Sequence, residues 1–244
     1  MTSPGRGGKK GLTICSQNVC GLKQDEHVEG LFSAVHNRRI FAACVQETWR
    51  DGCEDRVRSG ALVMGMGLNY NSPQQSRRGS QGVGIVLSSA AVSCWEAGGQ
   101  IVHRDLGARA MAVFLLCEDE HRKKVGLFLI SAYAPIGCAQ DTEWEEYFAI
   151  LDVLSARAPT DAVVVIGTDG NASMGKGGSE GDVDARSFNP IGRYGHFHLN
   201  DSGRRFRDYL AIRRMVAVTT FFKKRSYGTW IHPRSKKVHQ IDHF

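Results

Sequence analysis

The chain has 244 residues, 42% of them hydrophobic and 23% charged, with 31 Lys and Arg against 25 Asp and Glu for a formal net charge of +6. That composition can fill the core of one α/β domain and excludes wholesale disorder, and no apolar run approaches the ~18–20 residues of a membrane span. The seven cysteines are odd in number and contain no CxxC pair, which argues against a disulfide framework or a structural zinc site and for a reducing compartment.

The opening residues 1–10, MTSPGRGGKK, carry charge without an apolar segment behind it and read as a disordered basic tail ahead of one domain over 11–244. Short runs rich in Val, Ile and Phe predict strands at 12–16, 41–45, 83–88, 110–117, 125–133, 162–166, 216–222 and 238–244. A helix is expected over 26–38, with Val28, Leu31, Phe32 and Val35 inward. A second is expected behind Thr142-x-x-Glu145, which has the form of a capping box. Trp144, Tyr147, Phe148, Leu151 and Leu154 give that helix one apolar face. The glycine-rich stretch 175–182 reads as a mobile loop. A third helix is expected over 204–214, burying Phe206, Tyr209 and Leu210 with its arginines outward. The pattern is mixed α/β.

Polar residues that a core would not tolerate stand at the ends of these strands. Asn18 follows Leu-Thr-Ile-Cys-Ser-Gln, and Gln46-Glu47 follows Ala-Ala-Cys-Val. Tyr133 ends Phe-Leu-Ile-Ser-Ala-Tyr, Asp169 and Asn171 follow Val-Val-Val-Ile-Gly-Thr, and Asp242 lies in Val-His-Gln-Ile-Asp-His-Phe. In layered α/β folds such ends share a crevice where ligands bind. Three acids and two amides meeting there outline a site for a hard cation such as Mg²⁺, which takes oxygen ligands. Singly, each has a plainer reading: Asp169-Gly170-Asn171 is ordinary turn chemistry, Glu47 could cap a turn, and Tyr133 could simply pack. Their order and spacing carry the case.

That set resembles the endonuclease/exonuclease/phosphatase superfamily: Asn18 in Ser-Gln-Asn-Val-x-Gly-Leu, Gln46-Glu47-Thr48, Gln81-Gly-Val-Gly-Ile, Ser131-Ala-Tyr-Ala-Pro135, Asp169-x-Asn171, Thr229-Trp230 and Ile241-Asp242. Within it, Asn200-Asp-Ser-Gly-Arg-Arg-Phe, Thr219-Thr-Phe-Phe and Gly228-Thr-Trp-Ile-His-Pro are similar to the apurinic-like endonucleases of non-LTR (LINE-type) retrotransposons and their craniofacial-development-protein-2-like relatives. The resemblance implies a four-layer α/β sandwich of two facing sheets flanked by helices. It implies a DNA-nicking endonuclease that uses Mg²⁺ or Mn²⁺, monomeric and nuclear, with a reverse transcriptase farther along the full-length protein. Glu47 would ligate the metal and Asn18 support that shell. Asp169 would position and deprotonate the attacking water. Asn171 and Tyr133 would donate to the phosphoryl oxygens, Asp242 would orient a catalytic histidine, and Thr229 and Trp230 would shape the DNA groove.

The sequence departs from the family pattern in four places. It stops at Phe244, before the Ser-Asp-His motif, so the domain is expected to be an incomplete fragment that nicks poorly on its own. His243 stands where the family has an aromatic; as the strand neighbour of Asp242 it faces the other way and is no substitute for that histidine. Cys20 replaces an Asp or Asn, and Thr168 replaces a Gly. His232 and His239 are expected to be solvated or to face phosphates.

Residues 193–237 hold twelve Lys and Arg against Asp201 and Asp208, an excess that suits a polyanion, although a solvated face is the plain alternative. Arg204 and Arg205 lie on the third helix, Lys223, Lys224 and Arg225 precede Tyr227, and Lys236 and Lys237 fill the loop before the last strand. These are expected to contact phosphates, with Tyr227 or Trp230 stacking on a base or Trp230 buried as core. Competing readings are a catalytically inactive nucleic-acid-binding remnant and a phosphatase or deadenylase of the same superfamily.

Overall fold

In a computed structural model of the protein, residues 11–50, 52–58, 61–67, 81–177 and 188–244 are described. The tail 1–10 and the end of the glycine-rich stretch from residue 178 lie outside them.

Two five-stranded mixed sheets face each other. The first is built from β1 (Ile14–Asn18), β2 (Ala42–Gln46), β3 (Gly52–Arg58), β4 (Ala61–Gly67) and β5 (Val83–Leu87), in the order β1-β2-β5-β4-β3. The second contains β6 (Val102–His103), β7 (Ala110–Glu118), β8 (Lys124–Tyr133), β9 (Val163–Asp169) and β12 (Asp242–His243), in the order β12-β9-β8-β7-β6. A separate hairpin pairs β10 (Trp230–Ile231) with β11 (Val238–His239). Parallel neighbours require crossovers. α1 (Asp25–Asn37) makes the crossover between β1 and β2, and α3 (Asp141–Ala156) that between β8 and β9.

Three cores follow from this layering. Between the sheets, Cys44, Val83, Ile85 and Leu87 meet Met111, Val113, Leu115, Leu127 and Leu129. α2 (Ser89–Ala97) adds Ala91, Val92 and Trp95 to that core. Outside the first sheet, Val28, Phe32 and Val35 of α1 pack on Ala43, Val45 and Val86. Outside the second, α3 and α4 (Asp201–Arg213) bring Trp144, Tyr147, Leu151, Phe206 and Tyr209 onto Phe128 and Ile130. β2 and β5 are buried along their whole length because both faces are covered. Each such Leu, Ile or Phe contributes roughly 1.5–3 kcal/mol by leaving water. The four-layer α/β sandwich expected from the resemblance is therefore present.

Several local expectations are corrected. Thr142 and Glu145 form no capping box: α3 begins at Asp141, its N-cap is Gln140, and no side chain caps it. Residues 216–222 are not a strand but contain a 3₁₀ turn, Val218–Thr220. There the buried Thr220 hydroxyl donates to Ala217 O at 2.6 Å and accepts from Gly192 N at 2.7 Å, so local bonds take the place of a ladder. The run 238–244 is split between β11 and β12, which join different sheets. The run ending at Ser88 hides a helix start, since Ser88 Oγ accepts from Ala91 N at 3.3 Å as the N-cap of α2. α4 starts earlier than expected, with Asn200 Oδ1 accepting from Gly203 N at 2.8 Å. Its arginines do not all face out. Arg207 is buried, donating from Nε to Met174 O at 2.7 Å and from an Nη to Lys176 O at 3.1 Å.

Candidate active site

The parallel pairs bring the C-terminal ends of β1 and β2 together in one sheet and those of β8 and β9 in the other. Asn18 pairs with Gln46, and Tyr133 and Asp242 flank Asp169 in register. Gln46, fully buried, joins the two sheets beneath this crevice. Its amide donates to Ser16 Oγ at 3.1 Å, Gly167 O at 3.3 Å and Ser131 Oγ at 3.4 Å, while Ser131 Oγ donates to Val45 O at 3.1 Å.

Above that brace the polar side chains converge. Asn18 Nδ2 donates to Glu47 Oε1 and to Asp169 Oδ2, each at 2.8 Å. Asn18 Oδ1 is held by the Cys20 N–H at 2.9 Å and the Cys20 thiol at 3.3 Å. So Cys20 fixes the amide. Tyr133 donates its hydroxyl to the same Glu47 oxygen at 3.0 Å. Asn171 N–H donates to Asp169 Oδ1 at 3.1 Å, and Asn171 Nδ2 to Ala134 O at 3.0 Å. Glu47 and Asn171 both lie in the left-handed region, at φ 56° and 44°. Asn tolerates that conformation; for Glu it is strained backbone of the kind that collects at functional sites.

The crevice is short of positive charge. Burial raises the Asp169 carboxyl above the usual range, against the bonds from Asn18 and Asn171, and Glu47 adds to the rise. Burial and then Asp169 push Asp242 up to about 7. Asp242 Oδ1 is buried without a hydrogen-bond partner. Burial, then Glu47, pushes the Tyr133 phenol up, so it stays a donor at neutral pH.

Such an oxygen-rich, under-compensated set fits a hard dication that takes one or two carboxylates and completes its shell with water and phosphate. Among the described residues, no three His, Cys, Asp or Glu side chains stand close enough to cage an ion by themselves. Glu47 is the ligand candidate. Asn18, as placed, spends its amide hydrogens on the two carboxylates and holds them in position.

His243 is buried, with Nε2 2.9 Å from Ala172 O, and burial holds its pKa down to about 4. It lines a cavity of about 550 Å³ beside Phe206 and Tyr209, apart from the cluster above. Thr168, where the family has Gly, is accommodated because its hydroxyl meets the buried Tyr147 hydroxyl at 3.1 Å. Sequence reasoning missed Tyr147 as a neighbour of this strand, and nothing in the helical pattern signals it. It also missed that Asn200 Oδ1 accepts from Ser173 N at 3.0 Å, tying the loop after Asn171 to α4. Gly203 permits that approach, since a Cβ there would lie 2.0 Å from Ser173 O.

The basic residues divide into two groups. Arg204 pairs with Asp201 at 2.8 Å and Arg205 with Asp141 at 2.6 Å. Lys223, Lys224, Arg225, Lys236 and Lys237 are exposed, and none forms an ion pair among the described residues. Tyr227 is half-buried and accepts from Lys224 N–H at 3.1 Å. Thr229 Oγ1 accepts from the N–H groups of Ile241 and Asp242 at 3.0 and 3.2 Å, which ties the hairpin base to the crevice. Trp230 is not core; it is 40% exposed. His232 and His239 are half-buried against it rather than free in solvent.

No protein-family model and no curated protein matches the sequence. The fold is similar to that of two solved structures. The AP endonuclease LMAP from Leishmania major superposes with a TM-score of 0.57 at 14% identity, over 94% of this chain and 76% of that one. The catalytic domain of Xenopus laevis APE2 superposes with a TM-score of 0.55 at 15% identity, over 94% of this chain and 80% of that one. Among the described residues no helix is long and apolar enough to cross a membrane.

Proposed function

We propose that the protein is a divalent-metal-dependent phosphodiesterase of the endonuclease/exonuclease/phosphatase superfamily that nicks DNA, related to the endonucleases of non-LTR retroelements. The observation that carries this reading is Asn18 bridging Glu47 and Asp169 at 2.8 Å each, a contact that joins the ends of strands from both sheets. The similarity of fold to the AP endonuclease LMAP and to the APE2 catalytic domain supports the same reading.

Each residue then has a task. Glu47, held by Asn18 and Tyr133, presents a carboxylate to Mg²⁺ or Mn²⁺, and such an ion supplies neutralisation of charge growing on the scissile phosphate. Asp169, whose pKa burial raises, orients the attacking water and accepts its proton. With substrate bound, the Tyr133 hydroxyl turns from Glu47 to a phosphoryl oxygen, and Asn171 donates there with the amide hydrogen that Ala134 O does not take. Asp242, next to Asp169 in register, supplies a carboxylate for orienting a further group. Lys223, Lys224, Arg225, Lys236 and Lys237, which form no ion pair among the described residues, hold the backbone of the substrate. This preference for a polyanion separates the reading from that of a small-phosphate phosphatase.

Supercoiled plasmid with Mg²⁺ tests it. Slow nicking is expected, and Asp169→Ala should lower it by about a hundredfold or more, the range of a lost general base. Salt-sensitive DNA binding with no Asp169-dependent nicking would replace it with the nucleic-acid-binding reading.

A further inference from the structure

Past the crevice the chain builds a surface that phosphodiester chemistry does not need. β10 and β11 pair Trp230 with His239 and Ile231 with Val238. The loop at 193–200 is fastened against them: His196 N–H donates at 3.0 Å to Oε1 of Gln240, a residue 4% exposed. Met174 bridges Leu199, tying the same loop to the segment after Asn171. Gly170 N–H donates to Ile241 O at 2.8 Å, so hairpin, loop and crevice share one frame.

Rings line this frame. His198 and His239 lie 5.7 Å apart between centroids, His239 and Trp230 5.6 Å, and Trp230 and His232 5.4 Å. Phe197 stacks on His196 at 4.7 Å with 24° between planes. Phe197 is 74% exposed. Rings this exposed, held by a braced loop, mark an interaction surface. The partner's charge is set by the neighbours. Between Asp208 and Asp242 the sequence has no acid, and Lys223, Lys224, Arg225, Lys236 and Lys237 are exposed there.

We propose that this ring row is a stacking platform for unpaired bases, so that the stretch of nucleic acid held beside the site is single-stranded there. The proposal rests on the phosphodiesterase reading and narrows its substrate. Cations meet phosphates and rings meet base faces, and an unpaired strand offers both along its length, whereas a duplex offers a base face only where a nucleotide leaves the stack. A fully stacked duplex covers its base faces and could use the lysines but not the rings.

Fluorescence anisotropy in EDTA tests it with two probes, an oligothymidylate and a blunt duplex of similar charge. The single strand is expected to bind about tenfold tighter. Trp230→Ala and Phe197→Ala are each expected to weaken it about fivefold or more, with the duplex changed less than about twofold. Both sites are exposed, and Trp230→Phe, which keeps a ring, retains most of the affinity. Equal or tighter duplex binding overturns the proposal, as does equal weakening of both probes, which would mean a backbone contact or a wedge. If the single-strand preference is absent while Asp169-dependent nicking of duplex plasmid persists, the platform falls and the phosphodiesterase reading stands. If ring-dependent single-strand binding is found without Asp169-dependent cleavage, the platform stands and that reading falls.

Discussion

Asn18 is the residue on which the crevice turns. One amide nitrogen serves Glu47 and Asp169, which otherwise repel each other in a buried setting. Cation binding should relieve the same repulsion. In Glu47→Gln, Mg²⁺ is expected to lose its effect on thermal stability and on cleavage, while nucleic-acid affinity in EDTA changes little. Overlaying metal titrations of variant and parent would remove Glu47 as the ligand. Asp242 gives a pH signature. Its pKa rises from an ordinary value of about 4 to about 7 in the fold, so the native state holds the proton more tightly than the unfolded chain. Its ionisation therefore costs stability as pH climbs through that window. His243, pushed down to about 4, acts in the opposite sense and gains stability over much of the same range. Asp242→Asn is thus expected to match the parent near pH 4 and to become the more stable of the two by pH 8. Urea midpoints in EDTA would show this; a constant gap across pH would contradict it.

At the scale of elements, α4 and the hairpin carry similar charge with different availability. Arg204, Arg205 and Arg213 are spent on Asp201, Asp141 and Asp152, partly to clamp α4 onto α3. The hairpin and the 221–228 loop have no acids to spend their lysines on. Lys224→Ala is expected to flatten the slope of log affinity against log salt by about 0.7 on a single strand, the loss of one phosphate contact. Arg205→Ala should leave that slope unchanged. Equal effects of the two would mean that the Asp141 pair opens on binding. The composition of residues 193–237 showed the excess of charge; it could not show which half is neutralised, because two of the three partners, Asp141 and Asp152, lie on α3, far away in sequence.

For the molecule as a whole, the decisive feature is that the two sheets are registered at one point. Gln46 is fully buried and donates to Ser16, Ser131 and Gly167, residues of both sheets. Its removal would both free those acceptors and let the strand ends shift. Gln46→Ala is expected to cost about 2 kcal/mol, the scale for buried polar groups left without a partner. A lowered urea midpoint with unchanged m-value would show it, and cleavage should fall further than stability alone explains. The superposition on LMAP and the APE2 catalytic domain at 14% and 15% identity fits this view, since layered packing persists where most side chains differ.

Much of this was legible in the chain. Hydrophobic periodicity located three of the four helices and most of the long strands, because burying one face imposes a repeat that local reading can detect. Asn18, Glu47, Tyr133, Asp169 and Asp242 stood out because polar residues at the ends of apolar runs have few structural uses. The two-residue strands, the 3₁₀ turn at Thr220 and the start of α2 were not legible; each depends on a few hydrogen bonds, some to distant partners. The same holds for the Tyr147–Thr168 contact, the burial of Arg207 and the row of rings from His198 to His232. Sequence determined which residues could do chemistry and which helices and strands would carry them. Tertiary structure decided which of them meet, because hydrogen bonds and ring contacts between elements depend on distances in space that spacing along the chain does not encode.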